Sequence, residues 1–473
     1  MVKFIFSLLN FLIVAFPSFA FNSSSLPQKI DTLIEQQLPN AVVGVLIKNL
    51  ATGDVIYSKN ANKLFTPASC TKLFTAAAAL YELKPAFRFI TRIASHKNNI
   101  YLIFTGSPSL SSADLGKLIT DWANKSSKTI NGNIIIDTTR YQPPDYAGGN
   151  SYDDLGWYYA APTGAAIIDE NAETYQVTPA KQPGLPVKFK AKTVNPRLTL
   201  INQVVTASKE NEKEHCNLNI ETKNANTLRL YGCMAASENP VEYKLAVPDV
   251  ELVIRQLVQK GLKQHGIRLN GKIMAGKAPV EVKEIARIES EPLIKLVSVM
   301  LKESDNIYAD SLFKQVAYKL TGQGNYKQGI YAIKQVLQHY TQLDFTQLQL
   351  SDGMGTRYNL ATPGQLVSLL TTIYSQPDMQ GMFLTALPQS GISGTLSTRM
   401  RNTELAGLVY AKTGSMHDVS SLSGYLLRPG EDPVVFSIVI NSINKPLSVA
   451  RDLEDKILLM VNKNYSKKSE MQL

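Results

Sequence analysis

Phe65-Thr66-Pro67-Ala68-Ser69-Cys70-Thr71-Lys72-Leu73-Phe74-Thr75-Ala76-Ala77-Ala78-Ala79 is the stretch on which the fold turns. Thr66 suits a helix N-cap, and Pro67 suits a first helical turn. Leu73, Phe74 and the alanines after them predict a helix that is apolar nearly all round. Such a helix belongs inside a core. Ser69 and Lys72, three residues apart, then share one helix face. Just upstream, Ala41–Ser58 reads as a hairpin. Val42, Val43, Val45, Leu46 and Ile47 make one arm, Thr52-Gly53-Asp54 the turn, and Val55-Ile56-Tyr57 the return.

Outward from there the texture changes twice. Residues 86–290 alternate strand-like segments with turns: Ile100–Phe104, Gly132–Ile136, Val187–Ala191, Leu198–Val205, Leu218–Ile220 and Thr227–Tyr231. One clear helix, Pro248–Gly261, interrupts them. From Pro292 helices return at Leu293–Lys302, Ile307–Leu320, Gln328–His339 and Pro363–Tyr374. The chain ends strand, strand, strand, helix: Leu408–Gly414, Ser421–Leu427, Val434–Ile440, Ser448–Val461. The simplest architecture is α/β (α+β). A sheet-and-helix domain is built from residues 21–85 and 291–473, with residues 86–290 as a strand-rich insertion.

The 473 residues are 44% hydrophobic and 19% charged, with 28 Gly and 23 Pro, which excludes collagen, a long disordered chain and a heptad rod. A net charge of +10 is carried by scattered lysines and arginines, read as a solvated surface and not a nucleic-acid site. Residues 1–20 have the pattern of an export signal. Lys3 precedes the apolar run Phe4–Phe16, and Pro17-Ser18-Phe19-Ala20 follows, with cleavage expected after Ala20. The run is short for a membrane span of about 20 residues. No Cys follows it for lipid attachment, and no later stretch reaches spanning length. Three cysteines are too few for a disulfide scaffold. Cys216 and Cys233 flank a segment that a hairpin would fold back, and export permits a bridge there. Cys70, in an apolar helix, reads as core packing.

Three motifs carry chemistry. Ser69-x-x-Lys72 offers a hydroxyl and a base in a first turn, where free N–H groups favour developing negative charge. The same spacing recurs at Ser311 and Ser442, so alone it specifies little. Ser304-Asp305-Asn306 sits on a turn between two helices, where it also reads as a cap. Lys412-Thr413-Gly414 ends an apolar strand. A substrate peptide could lie along that edge, with Lys412 and Thr413 on its carboxylate; the plainer reading is an edge strand guarded by Lys. The five histidines, 96, 215, 265, 339 and 417, show no metal-ligand spacing, and there is no phosphate loop or G-x-S-x-G elbow. No metal and no cofactor is expected.

In this order and context, the three motifs are the signature set of penicillin-recognising serine enzymes. The chain resembles the low-molecular-mass class C penicillin-binding proteins, the D-alanyl-D-alanine carboxypeptidase/endopeptidase group. The motifs carry the resemblance together with Ser351-Asp352-Gly353, Arg357-Tyr358-Asn359-Leu360, Leu387-Pro388, Gly391-Ile392-Ser393-Gly394-Thr395-Leu396 and Lys412-Thr413-Gly414-Ser415. Asp153-Asp154-Leu155 and Tyr159-Ala160-Ala161-Pro162 add to it from the insertion. The resemblance implies a transpeptidase-like domain, an antiparallel sheet flanked by helices with a helical subdomain, and two inserted subdomains. It implies that Ser69 is the nucleophile and Lys72 the general base, its pKa lowered by burial and by Lys412. Ser304 would relay a proton, Asn306 hold the acyl-side amide, and the N–H groups of Ser69 and Ser415 form the oxyanion hole. Lys412, Thr413 and Ser415, on the strand that includes Gly414, would bind the terminal carboxylate. Asp154, Tyr159 and Arg357 would read the free end of the peptide's diamino acid; a helix cap and a surface ion pair are the plainer readings of Asp154 and Arg357. His417 stands where relatives can carry Gln. The implied partners are peptidoglycan peptides in the periplasm of a Gram-negative-type envelope and β-lactams as covalent inhibitors. Peripheral contact with the membrane stays open; the C-terminal apolar face, Leu453–Met460, is read as core packing. A β-lactamase and a non-turnover penicillin-binding sensor or wall protein are the alternatives. Against the first, Ser69 and Ser304 are 235 positions apart, and residues 305–403 contain no Glu to activate a deacylating water.

Overall fold

The computed structural model describes residues 25–208, 216–237 and 239–470, the last six as helix backbone. The expected export signal lies outside the described residues. A five-stranded antiparallel sheet joins the two ends of the chain. Its order is Val409–Met416, Val419–Leu426, Val434–Asn441, Val42–Asn49, Val55–Lys59. Strand Val434–Asn441 is apolar but for Ser437 and the final Asn441, because both of its faces are covered. Phe436, Ile438 and Ile440 pack with the helices Leu26–Gln37 and Leu447–Glu470 on one side. Val435 and Val439 pack with the helical layer on the other. The period of two puts these sets on opposite faces.

The helical layer is built around Lys72–Leu83, buried along nearly its whole length. Leu293–Lys302, Asn306–Thr321, Tyr326–Thr341 and Pro363–Tyr374 pack with it. A further helix, Pro377–Ala386, is absent from the sequence reading; its apolar signal is short and broken by Gly381. The central helix also begins later than Thr66. Ala68–Thr71 form a 3₁₀ turn and the α-helix starts at Lys72. Thr66 does not cap it. Its backbone N–H and carbonyl are instead held by Asn441 Oδ1 at 2.9 Å and Nδ2 at 3.0 Å.

The chain leaves this body and returns at adjoining points. Ser290 N–H donates to Phe89 O, and Leu293 N–H to Phe87 O. Between them lie two separate apolar cores. The first fills a mixed five-stranded sheet, in order Ile273–Ala275, Ile134–Asp137, Asn99–Ile103, Ile90–His96 and Lys283–Glu289, with helices Ser112–Ala123 and Val250–Gln264. The second lies among two three-stranded sheets drawn from residues 172–246. The helix Ser112–Ala123 departs from the strand-rich expectation. Its sequence signal is the Ser111-x-x-Asp114 capping box. Cys216 and Cys233 are joined across the hairpin of Leu218–Thr222 and Thr227–Ala235. No helix among the described residues is long and apolar enough to cross a membrane. The apolar face of the C-terminal helix is spent on the core: Leu453, Ile457, Leu458 and Val461 are fully buried.

Candidate active site

The turn that carries Ser69 is clamped from three sides. Phe65 exchanges two backbone hydrogen bonds with Ala361, Asn441 holds Thr66, and Pro67 O accepts from Ser421 Oγ at 2.7 Å. Ala68 is forced to φ +47°, a left-handed conformation that costs a residue with a side chain about 1–3 kcal/mol. The close neighbours explain two glycines. A Cβ on Gly355 would lie 2.0 Å from Ala68 O, and one on Gly414 would lie 2.3 Å from Ser421 Oγ and 2.7 Å from Pro67 O. Gly414 therefore serves the approach of its strand to the turn.

Ser69 Oγ is 2.8 Å from Lys72 Nζ. Lys72 is fully buried and also donates to Asn306 Oδ1 at 2.7 Å and Met354 O at 2.9 Å. Asp305 caps the helix Asn306–Thr321 by accepting from Tyr308 N–H, as the cap reading of this motif expected. The cap makes Asn306 the first helical residue, while Ser304 at φ +60° is turned toward Lys412. Lys412 Nζ donates to Ser304 Oγ at 2.8 Å and Thr413 O at 2.7 Å. Lys412 is also fully buried. It is not a protective edge lysine, and its ammonium meets the cleft residue Ser304. Burial lowers Lys72 to about 8, opposed by the carboxylates of Asp305, Asp310 and Asp352. Burial, with repulsion from Lys72, lowers Lys412 to about 7. At both lysines burial is the first cause of the lowering.

Ser69, Ser304 and Asn306 open into a cleft of about 600 Å³. Asp154, Tyr159, Arg357, Ser415 and His417 line it, so the structure brings most of the expected residues to one place. Thr413 stands just behind, its Oγ1 2.7 Å from Thr395 Oγ1. Tyr159 O accepts from Asn306 Nδ2 at 2.6 Å, tying the insertion to the second motif, and Tyr159 OH donates to Asp154 Oδ1 at 3.0 Å. Asp154 is not a helix cap, and among the described residues no carboxylate lies within ion-pair distance of Arg357. Strand 409–416 is covered only in part. Ser390 N–H reaches Val409 O, and Ala411 N–H reaches Pro388 O. Residues 413 and 415 share that phase, which turns the N–H of Ser415 to the open part of the edge. The sequence reading did not find Met354, whose contribution is a backbone carbonyl, nor Glu303, which lines the cleft beside Ser304.

A profile of the D-Ala-D-Ala carboxypeptidase 3 (S13) family matches residues 26–463. The chain belongs to this family. It is 31% identical over 436 residues to the D-alanyl-D-alanine carboxypeptidase DacB of Haemophilus influenzae, covering 89% of each chain. With a D-alanyl-D-alanine carboxypeptidase of an Actinomadura species the identity is 30%, over 90% of this chain and 83% of the relative. The crystal structure of penicillin-binding protein 4 from H. influenzae superimposes with a TM-score of 0.83 at 29% identity, over 91% of this chain and 99% of that one. As an S13 carboxypeptidase, the protein is a serine-type D-Ala-D-Ala carboxypeptidase.

Proposed function

We propose that Ser69 of this carboxypeptidase attacks the D-Ala–D-Ala carbonyl of peptidoglycan stem peptides and of cross-links, in the periplasm after export, and that β-lactams acylate the same oxygen. The contact of Ser69 Oγ with a buried Lys72 carries the reading. In its neutral form Lys72 takes the hydroxyl proton, and Oγ adds to the carbonyl carbon. The N–H groups of Ser69 and Ser415 stabilise the oxyanion. As the C–N bond breaks, Ser304, held by Lys412 at 2.8 Å, passes the proton taken up by Lys72 to the departing amine, which leaves Lys72 neutral again. Water then adds to the acyl-enzyme, its proton going by way of Lys72 to Ser69 Oγ, and the acid and free Ser69 are released. Asn306 spans Lys72 and Tyr159 O, and so fixes the acyl-side wall. Asp154, Tyr159 and Arg357 hold the ammonium and carboxylate at the free end of the diamino acid. The β-lactam complex described for penicillin-binding protein 4 of H. influenzae, with a TM-score of 0.78 at 28% identity, supports the reading that β-lactams enter this cleft. Incubation with purified muropeptides and mass spectrometry tests the proposal. Loss of one alanine is the carboxypeptidase outcome and conversion of dimers to monomers the endopeptidase outcome; unchanged muropeptides would refute both.

A further inference from the structure

Arg451 lies on the helix Leu447–Glu470, and its Nη2 is 3.3 Å from Ser415 Oγ. Leu447, one turn earlier, lines the cleft, as Ser415 does. The side chain of Arg451 is exposed, but its backbone is anchored. Arg399 Nη2 donates to Arg451 O at 3.1 Å and to the buried Glu454 at 3.0 Å, and it pairs with Asp455. Glu454 accepts in turn from Ser420 Oγ at 2.7 Å, and Ser420 is the cross-strand partner of Ser415. One polar network therefore fixes the helix against the strand that forms the cleft rim.

Arg451 itself has no carboxylate within ion-pair distance among the described residues. The acids around it are engaged elsewhere: Glu454 and Asp455 with Arg399, Asp452 with Lys456. A cation at a cleft edge with its own acids engaged is positioned for an external anion. The substrate brings one, the carboxylate of the residue on the leaving side. Lys412 is fully buried with its ammonium turned to Ser304 Oγ and Thr413 O, and with a pKa of about 7 it has lost part of its charge at neutral pH. Thr413 and Ser415 offer only neutral hydroxyls. A guanidinium stays charged and matches a carboxylate with two parallel N–H donors.

We propose that Arg451 is a specificity-determining residue that binds the leaving-side carboxylate together with Thr413 and Ser415, exchanging its contact with Ser415 Oγ for the substrate. The inference rests on the peptidase reading and adds a binding group from the C-terminal helix. The test compares two peptides that end in D-Ala–D-Ala and differ only in a terminal carboxylate or carboxamide. For Arg451→Gln, KM on the acid should rise about tenfold or more, the loss of one charge-assisted bond, with kcat nearly kept. The preference for acid over amide should fall by the same factor, and Arg451→Lys should restore part of it. An unchanged preference, or an equal loss on both peptides, overturns the assignment while leaving the peptidase reading intact. Wild-type protein that cleaves neither peptide overturns that reading, and this inference with it.

Discussion

Ser69 makes one hydrogen bond to a side chain, the one to Lys72, and the rest of the fold can stand without it. Ser69→Ala should therefore abolish labelling by a fluorescent penicillin while its melting temperature stays within a few degrees of wild type. Label that persists on the variant would remove Ser69 from the mechanism. The base gives a second prediction. Lys72 must be neutral to accept a proton, and burial brings its pKa down to about 8. The second-order rate of penicillin acylation should rise with pH through that value and then level off. A rate that falls over the same interval would mean that Lys72 works as a cation. At this scale the sequence showed side-chain chemistry and hid two other things. The Met354 carbonyl on Lys72 has no letter of its own. Arg451 meets Ser415 across 36 positions, and only the packing of the C-terminal helix brings them together.

Elements explain why those side chains converge. The hairpin Val42–Lys59 and the core helix Lys72–Leu83 were legible because their apolar patterns are long and match one period. The start of that helix was not. Thr66 and Pro67 carry ordinary helix-start chemistry, but Asn441, brought alongside by the sheet, takes the backbone groups of Thr66 and holds the turn open for Ser69. Close approach of the strand to this turn depends on Gly414. Gly414→Ala would press a methyl group into Pro67 O and Ser421 Oγ, and should cost about 1–3 kcal/mol in denaturant unfolding. Acylation should slow by about 100-fold, because the nucleophile is displaced. Gly116→Ala is the contrast. It lies within the helix Ser112–Ala123 with open space around it, and should gain about 0.5–1 kcal/mol with acylation unchanged. Equal behaviour of the two variants would show that the approach of strand to turn does not matter.

For the whole molecule, the return of the chain to its starting point hides the insertion's order from the sequence. Strand Ile90–His96 pairs with Lys283–Glu289, nearly two hundred positions later, and no local pattern announces such a partner. The insertion nevertheless reaches the cleft, through Asp154 and Tyr159, and Arg357 faces them from the other body. On the proposed reading this geometry separates two kinds of substrate. A peptide with a diamino acid would present its free carboxylate to Arg357 and its ammonium to Asp154, and a simple penicillin lacks that end. Asp154→Ala and Arg357→Ala should thus lower kcat/KM on diamino-acid peptides by about 10- to 100-fold, the loss of one hydrogen bond to a charged group. Penicillin acylation by the same variants should stay within about threefold, because Ser69, Lys72 and Ser304 keep their partners. Steady-state kinetics on matched peptides with and without the diamino acid, beside acylation rates, measures both. If the two activities fall together, Asp154 and Arg357 hold the cleft in shape and do not read the substrate; if only the diamino-acid peptides suffer, the insertion contributes a specificity pocket to a site whose chemistry belongs to the two ends of the chain.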